Sequence, residues 1–152
     1  MSEEIKVRIN NYRAIEKKLV NLGGKYTGEI YVIDTYFNQP KGILLKITED
    51  DRGNFLVHIK RKYGKFRIIK REEINNVVSQ KEKLKNKFGI ICIIRKKRRF
   101  FNFNNYMINI NLIEDLGEFL IVEGNNLNKD IIINKLGIKN PEYITVSFDK
   151  LI

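Results

Sequence analysis

Charged side chains recur at every second residue along several segments of this chain. Near the amino terminus Glu4, Lys6 and Arg8 alternate with aliphatic residues. Alternation with a period of two is typical of a β-strand that has one polar and one apolar face. The same pattern places further polar side chains on strand faces: Lys46, Lys60, Arg71, Glu73, Lys96, Arg98, Asn111 and Glu123. Seven cations and three carboxylates are among them, a set suited to holding an anion that carries several charges.

Strands dominate the predicted secondary structure. Runs rich in β-branched and aromatic residues predict eight strands, over residues 3–9, 28–37, 43–49, 54–62, 65–75, 91–103, 106–113 and 118–124. Helical spacing of apolar residues, followed by glycine, predicts three helices, over residues 11–22, 79–88 and 128–136. Turns are expected at 50–53, Tyr63–Gly64 and Asn104–Asn105. Because these connections are short, we expect mostly antiparallel pairing.

The overall charge of the chain points to a polyanionic partner. Its 152 residues carry 29 Lys and Arg against 18 Asp and Glu, a formal net charge of +11. A single cysteine excludes an internal disulfide and a cysteine zinc site, and a single histidine, His58, excludes multi-histidine metal sites. Residues 1–152 contain no run apolar enough for a signal core or a spanning helix. We therefore expect one soluble, cytoplasmic domain without membrane attachment.

Two architectures explain the alternation. An open sheet with one face in water accounts for any single strand. A closed antiparallel barrel accounts for the whole set, because helices cover the outside while charged residues project into the lumen. We predict this second, α+β fold: an eight-stranded antiparallel closed β-barrel, forming a tunnel, with helices packed outside. Its lumen would carry a net charge of +4 from the seven cations and three carboxylates, which a triphosphate would neutralise.

Six motifs, read in order, resemble one known family. They are Glu4-x-Lys6-x-Arg8, DTYF at 34–37, LKI at 45–47, REE at 71–73, RKKRRFF at 95–101 and NLIEDLGEFLIVE at 111–123. This series resembles the CYTH superfamily of triphosphate tunnel metalloenzymes, which includes class IV adenylyl cyclases, thiamine triphosphatases and inorganic tripolyphosphatases. The resemblance implies a tunnel barrel in which basic residues hold a triphosphate and acidic residues hold Mg²⁺ or Mn²⁺.

Pattern and resemblance together assign a role to each candidate. The residues expected to bind phosphate oxygens are Lys6, Arg8, Lys46, Lys60, Arg71, Lys96 and Arg98. The residues expected to hold the metal are Glu4, Glu123 and Asn111. Glu73 is expected to orient a water, and Lys60 to act with it in catalysis.

The acidic side of the family pattern is depleted in this chain. The positions where the family has acids are occupied by Lys6, Asn75, Asn111 and Ile121, and Thr48 replaces a second arginine. Mg²⁺ in proteins uses one or two carboxylates plus substrate phosphate, so Glu4 and Glu123 would suffice for one ion. Chemistry that needs two metal ions is under-provided. We hypothesise that the Lys6 ammonium stands in for a metal's charge beside the phosphates.

Three functions remain open from the sequence. The first is a metal-dependent enzyme that hydrolyses a triphosphate or cyclises ATP. The second is an inactive barrel that only binds the anion. The third is nucleic-acid binding, through Arg95, Lys97 and Arg99, a cluster of Arg61, Lys62 and Lys65, and stacking on Phe100, Phe101 and Phe103. The organic part of any substrate, the oligomeric state and the role of residues after Asn125 are not predicted.

Overall fold

The computed structural model describes residues 3–63 and 65–152, without the side chains of Lys65 and Lys129. Nine strands are present in these ranges: β1 Glu3–Ile9, β2 Lys25–Phe37, β3 Ile43–Asp50, β4 Gly53–Lys62, β5 Lys65–Glu73, β6 Ile90–Phe103, β7 Tyr106–Ile113, β8 Gly117–Gly124 and β9 Glu142–Tyr143. Three α-helices accompany them: α1 Tyr12–Asn21, α2 Val77–Phe88 and α3 Lys129–Lys135. A 3₁₀ helix, Phe148–Leu151, ends the chain. The eight predicted strands and three predicted helices are thus confirmed.

Asparagine begins each α-helix. The side chains of Asn11, Asn76 and Asn128 each accept a hydrogen bond from the backbone N–H three residues further on. Such a cap satisfies one of the N–H groups that the first turn of a helix leaves unpaired. Gly89 ends α2 with a φ of 81°, a left-handed conformation that glycine adopts without strain. Of the predicted Tyr63–Gly64 turn, Tyr63 has a φ of 53°, and Gly64 lies outside the described residues.

Eight strands close into an antiparallel barrel. Their order is β5-β4-β3-β2-β6-β7-β8-β1, and β1 pairs back to β5 through Glu3 with Arg67 and Glu4 with Phe66. The short strand β9 joins β1 at Val7 and Arg8. The predicted fold class is therefore confirmed, since closure gives the sheet an inner and an outer face.

The outer face packs against the helices. Ile5, Val7 and Ile9 of β1 belong to a buried cluster that also contains Leu19 of α1 and Ile132 of α3. A second outer cluster joins Leu45 and Ile47 of β3 to Leu84 of α2. Since side chains alternate along a strand, Glu4, Lys6, Arg8, Lys46 and Thr48 face the lumen.

A bulge decides which residues of β5 face the lumen. Ile59 of β4 pairs with Ile68, yet His58 pairs with Lys70, so one extra residue of β5 is accommodated. Arg71 consequently pairs with Val57, which itself pairs with Lys46. A bulge shifts the alternation by one residue, and this shift turns Arg71 and Glu73 inward.

Lys60 does not face the lumen, and that prediction is wrong. Lys60 is exposed and pairs with Ile43, on the outer face that also carries Leu45. The lumen-facing residues of β4 are apolar instead: Val57 and Ile59 form a buried cluster with Phe66. The expectation that polar faces mark the lumen fails on β4 because part of the inner wall is apolar and Lys60 lies in water outside it.

The last residues of the chain fill one end of the barrel. Ile144 and Phe148 are buried in a cluster with lumen-facing Tyr36, Phe119 and Ile121. The segment from β9 to the carboxyl terminus, residues 142–152, is called the tail below. Among the described residues, no helix has the length and apolar character that crossing a bilayer requires.

Candidate anion-binding site

Three lysines meet in the interior of the barrel around one carboxylate. Asp34 of β2 is fully buried, and its Oδ2 lies 2.8 Å from Nζ of Lys96 and 3.2 Å from Nζ of Lys46. Its Oδ1 accepts a hydrogen bond of 2.6 Å from the Thr48 hydroxyl. Lys6 completes the group and interacts electrostatically with Lys46 and Asp34. This set, the deep cluster, is Lys6, Lys46, Lys96, Asp34 and Thr48.

Lys6 lies between two aromatic rings. Its Nζ is 3.9 Å from the ring centroid of Phe66 and 4.3 Å from that of Phe148. Ring faces attract a cation, but they supply no hydrogen-bond acceptor of the strength of a carboxylate. Only 6% of Lys6 is exposed, so the ammonium is held in place with most of its hydration removed.

Two lysines of the deep cluster have lowered pKa values because they are buried. Burial lowers the pKa of Lys96 to about 7, although Asp34 opposes the shift. Burial likewise lowers the pKa of Lys6 to about 8, against the attraction of Glu4. Burial alone would raise the pKa of Asp34, but Lys46 and Lys96 outweigh it and hold that pKa well below its usual range. A bound anion would favour the charged form of both lysines.

Buried polar atoms of β6 and β7 continue the site. Arg98 pairs with Asn111 across these strands, and Asn109 lies two residues from Asn111 on the same face. Asn111 donates to Oδ1 of Asn109. Three further buried atoms have no hydrogen-bond partner among the described residues: Nδ2 of Asn109, Oδ1 of Asn111 and Nε of Arg98. Buried polar groups normally find a partner, so these atoms indicate a polar ligand.

Arginines and phenylalanines lie at the end of the barrel away from the tail. The Arg71 guanidinium is 4.3 Å from the Phe55 ring, and that of Arg98 is 5.0 Å from the Phe100 ring. Arg52 approaches Phe100 from the turn between β3 and β4. Burial and the neighbouring cations Arg52 and Arg98 lower the pKa of Arg71. This end of the barrel, called the mouth, therefore combines positive charge with aromatic surface, and Arg52 and Arg71 are exposed there.

The predicted metal ligands are arranged for at most a partial site. Glu4 and Glu123 are directly opposite each other on β1 and β8, which places their Cβ atoms about 5 Å apart. Asn111 lies on the neighbouring strand β7 opposite Phe119, four residues along β8 from Glu123, so the strand register does not bring it to the two carboxylates. Within residues 3–63 and 65–152, no three His, Cys, Asp or Glu side chains cluster as metal ligands. Glu4 and Glu123 therefore fit a divalent cation only if phosphate oxygens of a ligand complete its coordination.

Arg8 and Glu73 lie apart from the deep cluster. Arg8 forms a 2.7 Å ion pair with Glu142 of the tail and donates to the Leu116 carbonyl, so the protein already occupies its guanidinium. Glu73, opposite Phe55, is exposed towards the mouth. Lys60 lies outside the barrel near Glu3 and Arg67. Arg8 and Lys60 are thus set apart from the other predicted phosphate ligands. The remaining five of the seven face the lumen and form no ion pair with Glu142 of the tail: Lys6, Lys46, Arg71, Lys96 and Arg98.

Sequence reasoning missed Asp34, Asn109 and Phe148 as site residues. Asp34 belongs to the DTYF motif, and a lone carboxylate on the same strand face as Val32 and Tyr36 is a signal for a buried charge partner. Asn109 follows the alternation of Asn111 and is fully buried. Nothing in the sequence places Phe148, because its position depends on where the tail folds.

The basic residues outside the deep cluster and the mouth are largely engaged or separated from aromatic surface. Arg99 is paired with Glu16 of α1 and Glu29 of β2. Phe101 and Phe103 are buried in the cluster beneath α1 and α3, so they offer no face for stacking. Arg61 donates to the Thr145 carbonyl of the tail. Binding of nucleic acid stays a prediction that rests on the exposed Arg95, Lys97 and Lys62.

The fold and the lumen identify the class of protein. It is an antiparallel tunnel barrel whose interior holds a group of partly neutralised basic side chains. The sequence profile of the CYTH domain matches residues 2–136, so the chain belongs to the CYTH family, as its motifs predicted.

Relatives agree with this assignment. A protein of Methanocaldococcus jannaschii named "Putative adenylate cyclase MJ0240" is 32% identical over 132 residues, which is 79% of this chain and 74% of that protein. The solved PH1012 protein of Pyrococcus horikoshii OT3 has a TM-score of 0.89 at 23% identity, covering 100% of this chain and 99% of its own. A solved Hippeastrum protein, described as a putative adenylyl cyclase with a dominant triphosphatase activity, has a TM-score of 0.67 at 16% identity, covering 97% and 93%.

Proposed function

We propose that this protein binds a triphosphate-containing anion, such as inorganic tripolyphosphate or ATP, in the barrel lumen. The observation that carries the proposal is the deep cluster, where buried Lys6 and Lys96 and half-buried Lys46 lie around the buried carboxylate of Asp34. Placing positive charges in a low-dielectric interior is costly unless an opposite charge joins them. Family membership supports a triphosphate-related activity.

The phosphates would be bound by two groups of residues. Lys6, Lys46 and Lys96 would neutralise the innermost phosphate oxygens, and Arg98, with Nδ2 of Asn109, would donate to the next. Arg71 would meet the phosphate nearest the mouth. The organic part of a nucleotide would then lie among Phe55, Phe100 and Arg52, where two half-buried rings lie near an exposed guanidinium.

A single Mg²⁺ or Mn²⁺ would be held by Glu4 and Glu123 together with the ligand. Such an ion supplies charge neutralisation to phosphoryl transfer. Glu73 is the carboxylate we assign to orienting a water at the mouth. Whether turnover occurs decides between an enzyme and an inactive binder of the same anion, and both share the binding step proposed above.

Calorimetric titration of tripolyphosphate and ATP in Mg²⁺, in Mn²⁺ and in EDTA tests this proposal, followed by a phosphate-release assay. We expect binding in all three buffers, because the protein cations act without metal, and tighter binding with metal. Release of phosphate only with metal would identify an enzyme, and its absence would identify a binder. Failure of both ligands to bind in every buffer would refute the proposal.

Lys6 receives a test of its own. We propose that its ammonium takes the place of a metal's charge, so removal should weaken tripolyphosphate binding in EDTA by about tenfold or more. Lys6→Glu reverses the charge, and Lys6→Met removes it while keeping the length of the side chain between Phe66 and Phe148. Unchanged affinity in both folded variants would contradict this role.

A further inference from the structure

The tail closes the tunnel at the end beyond the deep cluster. Phe148 is 2% exposed, and its ring centroid lies 4.3 Å from Nζ of Lys6 and 5.3 Å from Nζ of Lys96. It also packs edge-on against lumen-facing Phe119, with the ring centroids 4.9 Å apart. One aromatic side chain of the tail thus covers two of the three lysines on the side away from the mouth.

Several contacts fix the tail in this position. Its β9 pairs with β1, and Arg8 and Glu142 form an ion pair across the two strands. The Ile144 N–H donates to the Lys6 carbonyl at 2.8 Å, and Arg61 donates to the Thr145 carbonyl at 2.8 Å. Contacts of this number and variety indicate a constant part of the wall rather than a loosely attached end.

A carboxylate stands next to the ring. Asp149 is 8% exposed, accepts a hydrogen bond from Ser147 and lies 3.9 Å from Lys150. Its charge acts on Lys6, so it is close enough to repel a phosphate that passed the lysines. Beyond it lies a cavity of about 400 Å³, lined in part by Tyr36, Phe66, Arg61 and Asp149. Asp149 and Phe66 border this cavity as well as the surroundings of Lys6, and none of the three lysines lines it.

We propose that Phe148 and Asp149 form the floor of a blind-ended tunnel and so determine the length of phosphate chain that the site accepts. The inference rests on the proposed function. A chain enters end-first from the mouth at Arg71 and Arg98, and its terminal phosphate stops at Lys6 and Lys96. Chains longer than a triphosphate gain no further contacts, and a nucleotide enters with its terminal phosphate first.

Affinity measured against chain length tests the floor. The probes are pyrophosphate, tripolyphosphate, tetrapolyphosphate and hexapolyphosphate, titrated calorimetrically at one pH and one ionic strength in EDTA. For the wild-type protein we expect affinity to rise up to tripolyphosphate and then to stop rising. In Phe148→Ala the added phosphate reaches the cavity and Arg61, so we expect tetrapolyphosphate to bind about tenfold more tightly than tripolyphosphate.

Two further variants make the test specific. Asp149→Asn keeps the shape of the floor and removes its charge, so tetrapolyphosphate should gain severalfold over tripolyphosphate even if Phe148→Ala does not fold. Leu151→Ala removes packing from the same apolar cluster and is expected to keep the wild-type length dependence. Circular dichroism establishes that each variant is folded. The ratio of the two affinities cancels changes common to all chain lengths, including rehydration of Lys6 and Lys96.

The possible outcomes separate the two proposals. A ratio of tetrapolyphosphate to tripolyphosphate affinity that stays at the wild-type value in the folded Phe148 and Asp149 variants would overturn the floor alone. A wild-type affinity that keeps rising through hexapolyphosphate would also overturn it. If no chain binds the wild-type protein, the proposed function itself fails, and the floor with it.

Discussion

Proton uptake on binding is the sharpest consequence of the deep cluster. Burial lowers the pKa of Lys96 to about 7, so about nine-tenths of these side chains would be neutral at pH 8 in the free protein. A phosphate next to Lys96 favours its charged form and raises its pKa. Binding at pH 8 should therefore take up about 0.9 proton at Lys96, and binding at pH 6 only about 0.1.

The sign of the pH dependence follows from this uptake. Because the bound state holds more protons than the free state, affinity falls as pH rises through the pKa of the free lysine. The limiting slope for one proton is a factor of about ten in affinity per pH unit. For the free protein the relation is reversed: a lysine whose pKa is lowered by folding destabilises the fold when protonated. Stability of the free protein should thus increase from about pH 7 towards pH 10.

Calorimetry in buffers of different ionisation enthalpy measures the uptake directly. Tripolyphosphate is titrated into wild-type protein and into Lys96→Met at pH 6 and pH 8, in two buffers each. Titration of the ligand itself is common to both proteins, so the difference isolates Lys96. Lys97→Met is the matched control, since Lys97 is the next residue but is exposed outside the barrel. Equal proton uptake by wild-type protein and Lys96→Met at pH 8 would refute the reasoning.

Three further outcomes are expected. Asp34→Asn leaves Lys46 and Lys96 without their contacting carboxylate, so chemical denaturation should show a free energy of unfolding lower by about 3 kcal/mol. Added tripolyphosphate should restore part of this stability. A decrease no larger than that of a surface variant would contradict the prediction. Lys46→Ala should weaken tripolyphosphate binding by at least about tenfold in calorimetry, whereas Lys60→Ala, outside the barrel, should change it less than about twofold; equal effects would argue against a lumenal site. Glu4→Gln combined with Glu123→Gln should abolish the gain in affinity from Mg²⁺ while affinity in EDTA is kept or increased, and a persisting metal effect would place the ion elsewhere.

Alternation along the strands carried most of the fold prediction. The period of two in β1 separated Glu4, Lys6 and Arg8 from Ile5, Val7 and Ile9, and the two sets do face the lumen and the helices respectively. Alternation predicts these faces because a strand exposes each side chain to one of only two environments. Three helices that need apolar surface then made a closed barrel the consistent solution, and the family motifs agreed with it.

Alternation gave the wrong face on β4 because polarity does not by itself distinguish lumen from solvent. His58 and Lys60 are polar, as lumen residues were expected to be, but they face outward, and apolar Val57 and Ile59 face inward. On β5 the assignment of Arg71 to the lumen was correct, yet it depends on a bulge that the sequence pattern does not predict. In both cases the result depends on which side of the sheet faces the interior, and only closure of the barrel determines that side.

Residue types and spacing therefore determined the strands, the helices, the family and the basic character of the interior. Tertiary structure decided which charges meet. Asp34 joins Lys46 and Lys96 although 12 and 62 positions separate them, and Phe148 reaches Lys6 from the other end of the chain. Electrostatic and cation–π contacts depend on distances of a few ångströms, and periodicity along a strand reports only the face on which a side chain lies. The distances arise when the sheet closes on itself and the tail folds into its end.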